Sequence, residues 1–294
     1  MKRAFTAAST IVGAAAFVYS VSVLGAAEIR SAVVRIGWGF AAILVLSGLR
    51  EAARALAWTQ TFGGTDRLPF GEALRARLAG EALNTLLPMG FVVGEPVKAQ
   101  HVADRLPFTT AFSALVVEFA FYSASLAILL FVAALAVLPP IGALGAMVAL
   151  GAAAVPALKR APRLVEPLRR LAVDRPRRAW GILALEASYH ALGVAEVYVT
   201  LLFLVPGGVA WTSAVLLETV NRGVTIVFKM LPMRLGVDEA SAALVTNRLA
   251  LGSATGVMLA LVRKLRLLFW AALGLGFIAL RAGKHAARAC ATTA

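Results

Sequence analysis

Residues 87–99 read LPMGFVVGEPVKA and residues 231–243 read LPMRLGVDEASAA, two stretches that lie 144 residues apart. Six of their thirteen positions are identical: Leu87/Leu231, Pro88/Pro232, Met89/Met233, Val93/Val237, Glu95/Glu239 and Ala99/Ala243. This spacing is close to half of the 294-residue chain, which indicates two copies of one unit rather than chance similarity in an Ala/Leu/Val/Gly-rich sequence. Each copy places a helix-breaking proline and an ionisable carboxylate in apolar surroundings, a costly combination that favours a functional site.

The composition is that of a membrane protein. Hydrophobic residues make up 60% of the chain and the mean hydropathy is +0.83, which leaves too little polar surface to cover a soluble globule. Residues 112–138 carry one charge, Glu118, and residues 141–158 and 267–280 carry none. Because about 20 apolar residues suffice for a membrane-spanning helix, the sequence predicts an all-α polytopic membrane protein.

Several classes of chemistry are not expected. The single cysteine, Cys290, excludes a disulfide framework, and His101, His190 and His285 are too far apart to show metal-ligand spacing. The chain contains no GxxxxGK(S/T), GxSxG or HExxH motif. We therefore expect no metal, no cofactor and no enzymatic activity.

The distribution of charge predicts the orientation. Residues 159–178 hold eight Lys/Arg against two acids, so the positive-inside rule assigns them to the cytoplasm, together with both basic termini. Much of the net charge of +14 would then face anionic lipid headgroups. A nucleic-acid partner is not expected, since the basic residues flank spans and form no patch with interleaved aromatics.

Counting from these cytoplasmic segments predicts six full spans and two re-entrant hairpins. The spans are expected at about 5–27, 36–57, 112–138, 141–158, 179–205 and 252–280. The hairpins are expected at 68–105 and 209–247, where apolar pieces are too short to cross. Glycines and prolines are expected to break them: Pro88, Gly90, Gly94 and Pro96 in the first, and Gly207, Gly208, Gly223, Pro232 and Gly236 in the second.

Each unit therefore has three spans and one hairpin. Because three is an odd number, the second unit must be inverted relative to the first, as in many secondary transporters. We expect one integral domain with repeat one over about 1–145 and repeat two over about 141–294, joined by the basic linker 159–178. A cleaved signal peptide at the N-terminus is the alternative interpretation of the first span; the repeat favours its retention.

The stretch 84–98, NTLLPMGFVVGEPVK, resembles the "N…LP…GE..(R/K)" signature of the lysylphosphatidylglycerol synthase transmembrane region, also called the flippase-like family. Residues 232–239, PMRLGVDE, are similar to its second signature, "P…G..E". The resemblance covers essentially the whole chain and implies that the protein moves lipids between the leaflets of a bacterial inner membrane.

Two departures limit what the resemblance implies. No soluble synthase domain is visible in the sequence, so no aminoacyl transfer is expected. The family shows Glu-Arg followed by an Asp after the first hairpin, whereas this chain has Glu118-Phe119. The resemblance therefore does not imply an ion pair between two residues of that span in this chain.

A lipid headgroup that crosses a bilayer needs replacements for its hydration. Helix ends at the breaks offer free N–H groups to a phosphate, and nearby lysines and arginines add charge-assisted donors. Glu95 and Glu239 are expected to hold these cations or to meet a cationic headgroup. Glu118 and Arg263 are a candidate ion pair, and the alternative is that Arg263, Lys264 and Arg266 line a wet cavity or reach the interface separately. The predicted substrate-binding residues are Asn84, Pro88, Gly94, Glu95, Lys98, Glu118, Asn221, Arg222, Lys229, Pro232, Arg234, Gly236, Glu239 and Arg263.

Three functions remain open from the sequence. The first is a flippase- or scramblase-like translocator of an anionic or zwitterionic membrane lipid. The second is a secondary transporter of a small polar solute, which the inverted-repeat plan supports equally. The third is a noncatalytic membrane partner of a lipid- or glycan-modifying enzyme. A lateral opening that admits acyl chains would separate the first from the second.

Overall fold

The computed structural model describes residues 26–63, 67–135 and 162–291, together with Ala15 and Val18. Within these residues all regular structure is helical. The helices are α1 (Ala26–Ile36), α2 (Gly39–Thr61), α3 (Phe70–Leu86), α4 (Phe91–His101), α5 (Phe108–Leu135), α6 (Pro162–Asp174), α7 (Pro176–Leu204), α8 (Trp211–Val227), α9 (Val237–Arg248) and α10 (Ser253–Ala291), with a short 3₁₀ turn at Pro232–Arg234.

The long apolar helices match the predicted spans. Helices α5, α7 and α10, the last over 253–283, are long and apolar enough to cross a membrane. Arg30–Ile36 of α1 and α2 together make a fourth candidate, bent by 94°. The predicted spans at 5–27 and 141–158 lie outside the described residues, except for a few positions of the first. The expectation of an all-helical membrane protein is confirmed.

The bend between α1 and α2 occurs at Gly37. This glycine has a φ of +53°, a left-handed backbone conformation that residues with a Cβ rarely adopt. The next residue, Trp38, is 93% exposed. The second predicted span therefore begins as a separate helix at Gly39, three residues later than expected.

Two pairs of shorter helices occupy the segments predicted as hairpins. In the first pair, α3 and α4 are joined by 87–90, where Leu87 donates its N–H to the Leu83 carbonyl (3.1 Å) as α3 ends. In the second pair, α8 and α9 are joined through the 3₁₀ turn. Met89 (φ +50°) and Met233 (φ +49°), which occupy equivalent positions of the repeated motif, are both left-handed. The break thus falls on the motif in both copies.

Three of the expected helix breaks are wrong. Gly94 and Pro96 lie inside α4, and Gly223 lies inside α8. The fixed φ of proline is compatible with a helix, so Pro96 removes one hydrogen bond without ending α4. A single glycine in a helix costs only about 1 kcal/mol relative to alanine. The turns at the two Leu-Pro-Met motifs therefore provide the breaks.

Helix α10 supports both helical pairs. A Cβ added at Gly256 would lie 2.3 Å from the Ala242 carbonyl oxygen of α9, and one at Gly274 would lie 2.1 Å from the Leu78 carbonyl oxygen of α3. The two pairs also meet at their turns, where Met89 donates its N–H to the Met230 carbonyl (3.2 Å). Helices α2 and α7 pack along each other beside this arrangement.

Candidate functional site

Helix α2 carries two arginines and a glutamate into the interior. Arg54 donates two hydrogen bonds to Glu118 of α5, from Nε (2.8 Å) and from Nη2 (2.9 Å), and its Nε also lies 3.3 Å from Glu186 of α7. Arg77 of α3 lies 3.5 Å from the same Glu118 and donates to Glu51 at 2.9 Å. Four helices thus meet at these side chains.

The network continues into the first helical pair. Lys98, only 1% exposed, donates to Glu81 (2.7 Å) and to Glu95 (2.8 Å). Asn84 donates its Nδ2 hydrogen to Glu95 (3.0 Å). Arg77 joins this part to the rest, since its Nη2 lies 3.4 Å from Glu81. Lys98 of α4 thus forms an ion pair with Glu81 across the α3–α4 contact and another with Glu95 in its own helix.

We call this set the acid-rich cluster. It contains three cations and five carboxylates: Arg54, Arg77 and Lys98 against Glu51, Glu81, Glu95, Glu118 and Glu186. If all were ionised, the cluster would carry two surplus negative charges.

A second cluster surrounds Glu218 of α8. Arg222, one turn along the same helix, donates to Glu218 from Nε (2.8 Å) and Nη2 (2.5 Å). Arg263 of α10 donates to the other oxygen at 3.3 Å, and Arg50 of α2 lies at 3.6 Å. All four side chains are buried.

Glu196 of α7 extends this second cluster. Its Oε2 accepts hydrogen bonds from Arg50 (2.6 Å) and from Arg266 (2.5 Å). The Nε–H groups of both arginines are buried and have no hydrogen-bond partner among the described residues. The arginine-rich cluster is thus four arginines against two carboxylates: Arg50, Arg222, Arg263 and Arg266 against Glu196 and Glu218.

Aromatic rings separate the two clusters. The Arg50 guanidinium lies 4.6 Å from the centre of the Tyr189 ring, and the Arg54 guanidinium lies 4.3 Å from that of Tyr122. The Tyr189 hydroxyl is 3.2 Å from Nη1 of Arg222. His190 contacts both tyrosine rings, at 5.0 Å and 5.3 Å between centroids. The rings hold the arginines in place by cation–π contact.

Several predicted site residues lie in these clusters. Glu95, Lys98, Asn84 and Glu118 belong to or contact the acid-rich cluster, and Arg222 and Arg263 belong to the arginine-rich cluster. The predicted pair between Glu118 and Arg263 is wrong, because Glu118 is held by Arg54 and Arg77, whereas Arg263 binds Glu218.

The repeated glutamates both meet a buried lysine but sit differently in their helices. Glu95 is the fifth residue of α4 and binds Lys98. Glu239 is the third residue of α9, where its Oε2 accepts the N–H of Gly236 (2.9 Å) and so caps the helix. Its other oxygen accepts from Lys264 of α10, which is fully buried. Glu239 therefore has a capping role that Glu95 lacks.

The other predicted cations are not held by the repeated glutamates. Arg234 donates to Asp238 at 2.9 Å. Lys229 is exposed, with its Nζ 4.4 Å from the centre of the Phe91 ring and 5.7 Å from that of Phe119.

The remaining predicted residues shape the backbone. Pro88 and Pro232 lie in the two turns, and Gly236, with a φ of +81°, precedes α9. Gly94 lies at the close contact of α4 with α3. Asn221 accepts a hydrogen bond from the Thr225 hydroxyl through its backbone carbonyl (2.7 Å).

Sequence reasoning missed most of the charged residues of the two clusters. Arg50, Glu51 and Arg54 lie inside the predicted second span, and Glu186 and Glu196 lie inside the predicted fifth. Ionisable residues within apolar spans mark functional sites by default. That signal is present in the sequence, independently of the repeated motif.

The chain matches the family described as lysylphosphatidylglycerol synthase TM region over residues 6–276. Because this match covers most of the chain, the protein belongs to that family and is a membrane protein related to lipid metabolism. Searches of the curated proteins and of the solved structures gave no match.

Proposed function

We propose that the protein moves a phospholipid, anionic or zwitterionic, between the two leaflets of a bacterial inner membrane. The observation that carries this proposal is the arginine-rich cluster, in which four arginines, three of them buried, face only two carboxylates. Uncompensated buried charge is costly. A lipid phosphate bound there would supply the missing negative charge.

The free donors of this cluster suit the same ligand. The Nε–H groups of Arg50 and Arg266, which both donate from another nitrogen to Glu196, are buried and have no partner among the residues that the structure describes. Arginine N–H groups are the donors most suited to phosphate oxygens, because their planar fork permits paired hydrogen bonds. A headgroup phosphate beside Glu196 would offer acceptor oxygens to these donors.

The turns of the two helical pairs favour a lipid over a soluble solute. Around their contact point, large apolar side chains are exposed, including Val92 (55%), Val227 (72%) and Met230 (60%). Lys229 lies among them over the Phe91 ring. An apolar surface of this kind would contact acyl chains while the lysine attracts a phosphate, whereas a polar solute needs no apolar surface beside its pathway.

The proposed architecture follows the sequence-based plan. Six crossings and two re-entrant hairpins form two inverted repeats, with both termini in the cytoplasm and the hairpin turns meeting inside the membrane. The left-handed methionines at equivalent positions of the motif support the repeat. The hydrogen bond from Met89 to Met230 supports the meeting of the hairpins.

Translocation can be measured with purified protein in phospholipid vesicles. A trace phospholipid with a headgroup fluorophore is bleached from outside by an impermeant reductant, and we expect the protein to expose the inner-leaflet pool as well. The variant Arg50→Lys/Arg266→Lys keeps both charges but removes both Nε–H donors. Since one charge-assisted hydrogen bond contributes about 1.5–3 kcal/mol, this variant should move lipid about tenfold more slowly or worse.

The matched control is Arg105→Lys, which alters an arginine paired with Glu72 at the surface (2.6 Å). It should move lipid at the wild-type rate. Bleaching no faster than in protein-free vesicles would contradict the proposed function. Uptake of a soluble organic phosphate in place of lipid movement would establish the secondary transporter instead.

A further inference from the structure

Glu186 is the least compensated of the buried carboxylates that the structure describes. Its side chain is fully buried, and neither carboxylate oxygen has a hydrogen-bond partner among the described residues. In the described part of the chain its one ion-pair partner is Arg54, at 3.3 Å, and Arg54 already donates two hydrogen bonds to Glu118. Two carboxylates therefore share one guanidinium, and Glu118 has the better geometry.

His190 lies one helical turn beyond Glu186 on α7. It is 2% exposed, and neither ring nitrogen has a hydrogen-bond partner in the described part of the chain. Residues four apart on a helix lie on the same face, with Cβ atoms about 5–6 Å apart. Within the described residues, the His190 ring, which can accept a proton, therefore lies one helical turn from the Glu186 carboxyl group, and neither group has a hydrogen-bond partner.

We propose that Glu186 and His190 form an internal proton-binding site, and that proton transfer at this site drives the lipid movement. An anionic carboxylate that is buried without donors is strongly disfavoured relative to the neutral acid. The acid-rich cluster also holds five carboxylates against three cations, and a proton on Glu186 removes one of the two surplus negative charges. The coupling to lipid movement rests on the proposed function, whereas the proton site does not.

The groups that face this pair come from every helix packed around it. Those in contact with the pair or with its immediate partners are Arg50, Glu51 and Arg54 on α2, Arg77 on α3, Glu118 and Tyr122 on α5, Tyr189 on α7, and Glu218 and Arg222 on α8. Arg263 and Arg266 of α10 bind Glu218 and Glu196 instead. Among the side chains that the structure describes on α6 and α1, the charged ones are exposed: Arg169, Arg170 and Asp174 on α6, and Arg30 and Arg35 on α1.

The transfer step conserves charge. The O–H bond of the Glu186 carboxyl breaks, a bridging water molecule relays the proton, and an N–H bond forms on the His190 imidazole. The new carboxylate then competes with Glu118 for Arg54, and the new imidazolium adds positive charge beside Tyr189, close to the arginine-rich cluster. Proton transfer therefore changes the attraction of that cluster for an anion.

Infrared spectroscopy tests the proton site without any lipid assay. A protonated buried carboxyl gives a carbonyl band that shifts in D₂O. We expect this band in the wild type at neutral pH, and expect Glu186→Gln, which mimics the neutral acid, to fold and to lose it. The control Glu72→Gln, which alters a surface carboxylate paired with Arg105, should retain the band. An unchanged band in Glu186→Gln would overturn the proton site.

A pH gradient across the vesicles tests the coupling. The wild-type rate of lipid movement should change severalfold when the gradient is imposed or reversed, whereas Glu186→Gln should move lipid at one rate regardless of the gradient. Equal responses of the two proteins would overturn the coupling. If the wild type shows the carbonyl band but moves no lipid, the proposed function and the coupling both fail and the proton site stands.

Discussion

The acid-rich cluster depends on the absence of a side chain at Gly94. A Cβ at Gly94 would lie 2.4 Å from the Gly80 carbonyl oxygen and 2.1 Å from Oδ1 of Asn84. Asn84 donates to Glu95, which in turn binds Lys98. The close approach of α4 to α3 is therefore what allows the lysine to reach its carboxylates.

Gly94→Ala should consequently destabilise the protein. Overpacking a tight contact costs about 1–3 kcal/mol, which exceeds the gain of up to about 1 kcal/mol from replacing a helical glycine. We expect a lower midpoint of thermal unfolding in detergent. The matched control is Gly223→Ala in α8, where an added Cβ meets nothing within 4 Å, and its midpoint should stay or rise. Equal midpoints for the two variants would show that the α3–α4 contact is looser than described.

Also at the scale of residues, the sequence identified buried charged residues more successfully than it identified their ion-pair partners. It selected Glu118 and Arg263 because charge in an apolar span is expensive, and both are buried in ion-pair clusters. It paired them with each other because the offset of 144 residues places them one position apart. The true partners, Arg54 and Glu218, come from helices whose packing no periodicity reveals.

At the scale of elements, the two helical pairs are related but not identical. Met89 and Met233 are left-handed in both, yet Arg234 (φ +47°) and Gly236 (φ +81°) are left-handed as well in the second. Helix α9 consequently begins two residues later, relative to the motif, than α4 does. Long apolar helices and motif turns were predictable from pattern, whereas this offset depends on φ angles at non-glycine residues.

The contact between the two turns can be tested by cross-linking. Met89 and Met230 share a backbone hydrogen bond and both side chains are exposed. Cysteines at the two positions, with Cys290 replaced by alanine, should form a disulfide on oxidation, and lipid movement should stop because the turns can no longer separate. Trypsin cleavage between the two positions reports the bond, since the fragments stay joined until reduced.

The matched controls are the two single-cysteine variants, which should stay active under oxidation. Failure of the fragments to remain joined would place the turns apart. A locked protein that still moves lipid would show that the pathway does not pass between them.

At the scale of the whole molecule, α10 packs against both helical pairs and so fixes their positions relative to each other. Its close contacts at Gly256 with α9 and at Gly274 with α3 are 18 residues apart, which corresponds to about 27 Å along a helix. The two inverted repeats were predicted from motif spacing and charge counting. The shared support was not, because glycines in an apolar helix do not identify the helix they will contact.

The orientation of the molecule is testable by cysteine labelling in the Cys290→Ala background. Ala172 on α6 and Ala210 before α8 are both exposed and lie beyond opposite ends of α7, whose 29 residues span about 44 Å. A cysteine at Ala172 should react with an impermeant maleimide from the cytoplasmic side alone, and one at Ala210 from the opposite side alone. Labelling of both from one side would contradict the inverted-repeat arrangement.

The ribosome synthesises the arginines of α2 well before the carboxylates that pair with them in the folded protein. Helix α2 emerges early with Arg50 and Arg54 in its apolar length, and each arginine at the centre of an inserting helix costs about 2.5–3.5 kcal/mol. Glu118 follows 64 residues after Arg54, and Glu196 follows 146 residues after Arg50. We therefore expect α2 to remain beside the insertion machinery or at the membrane surface during synthesis until α5 and then α7 have been made. Insertion of the first helices would then depend on the second half of the protein.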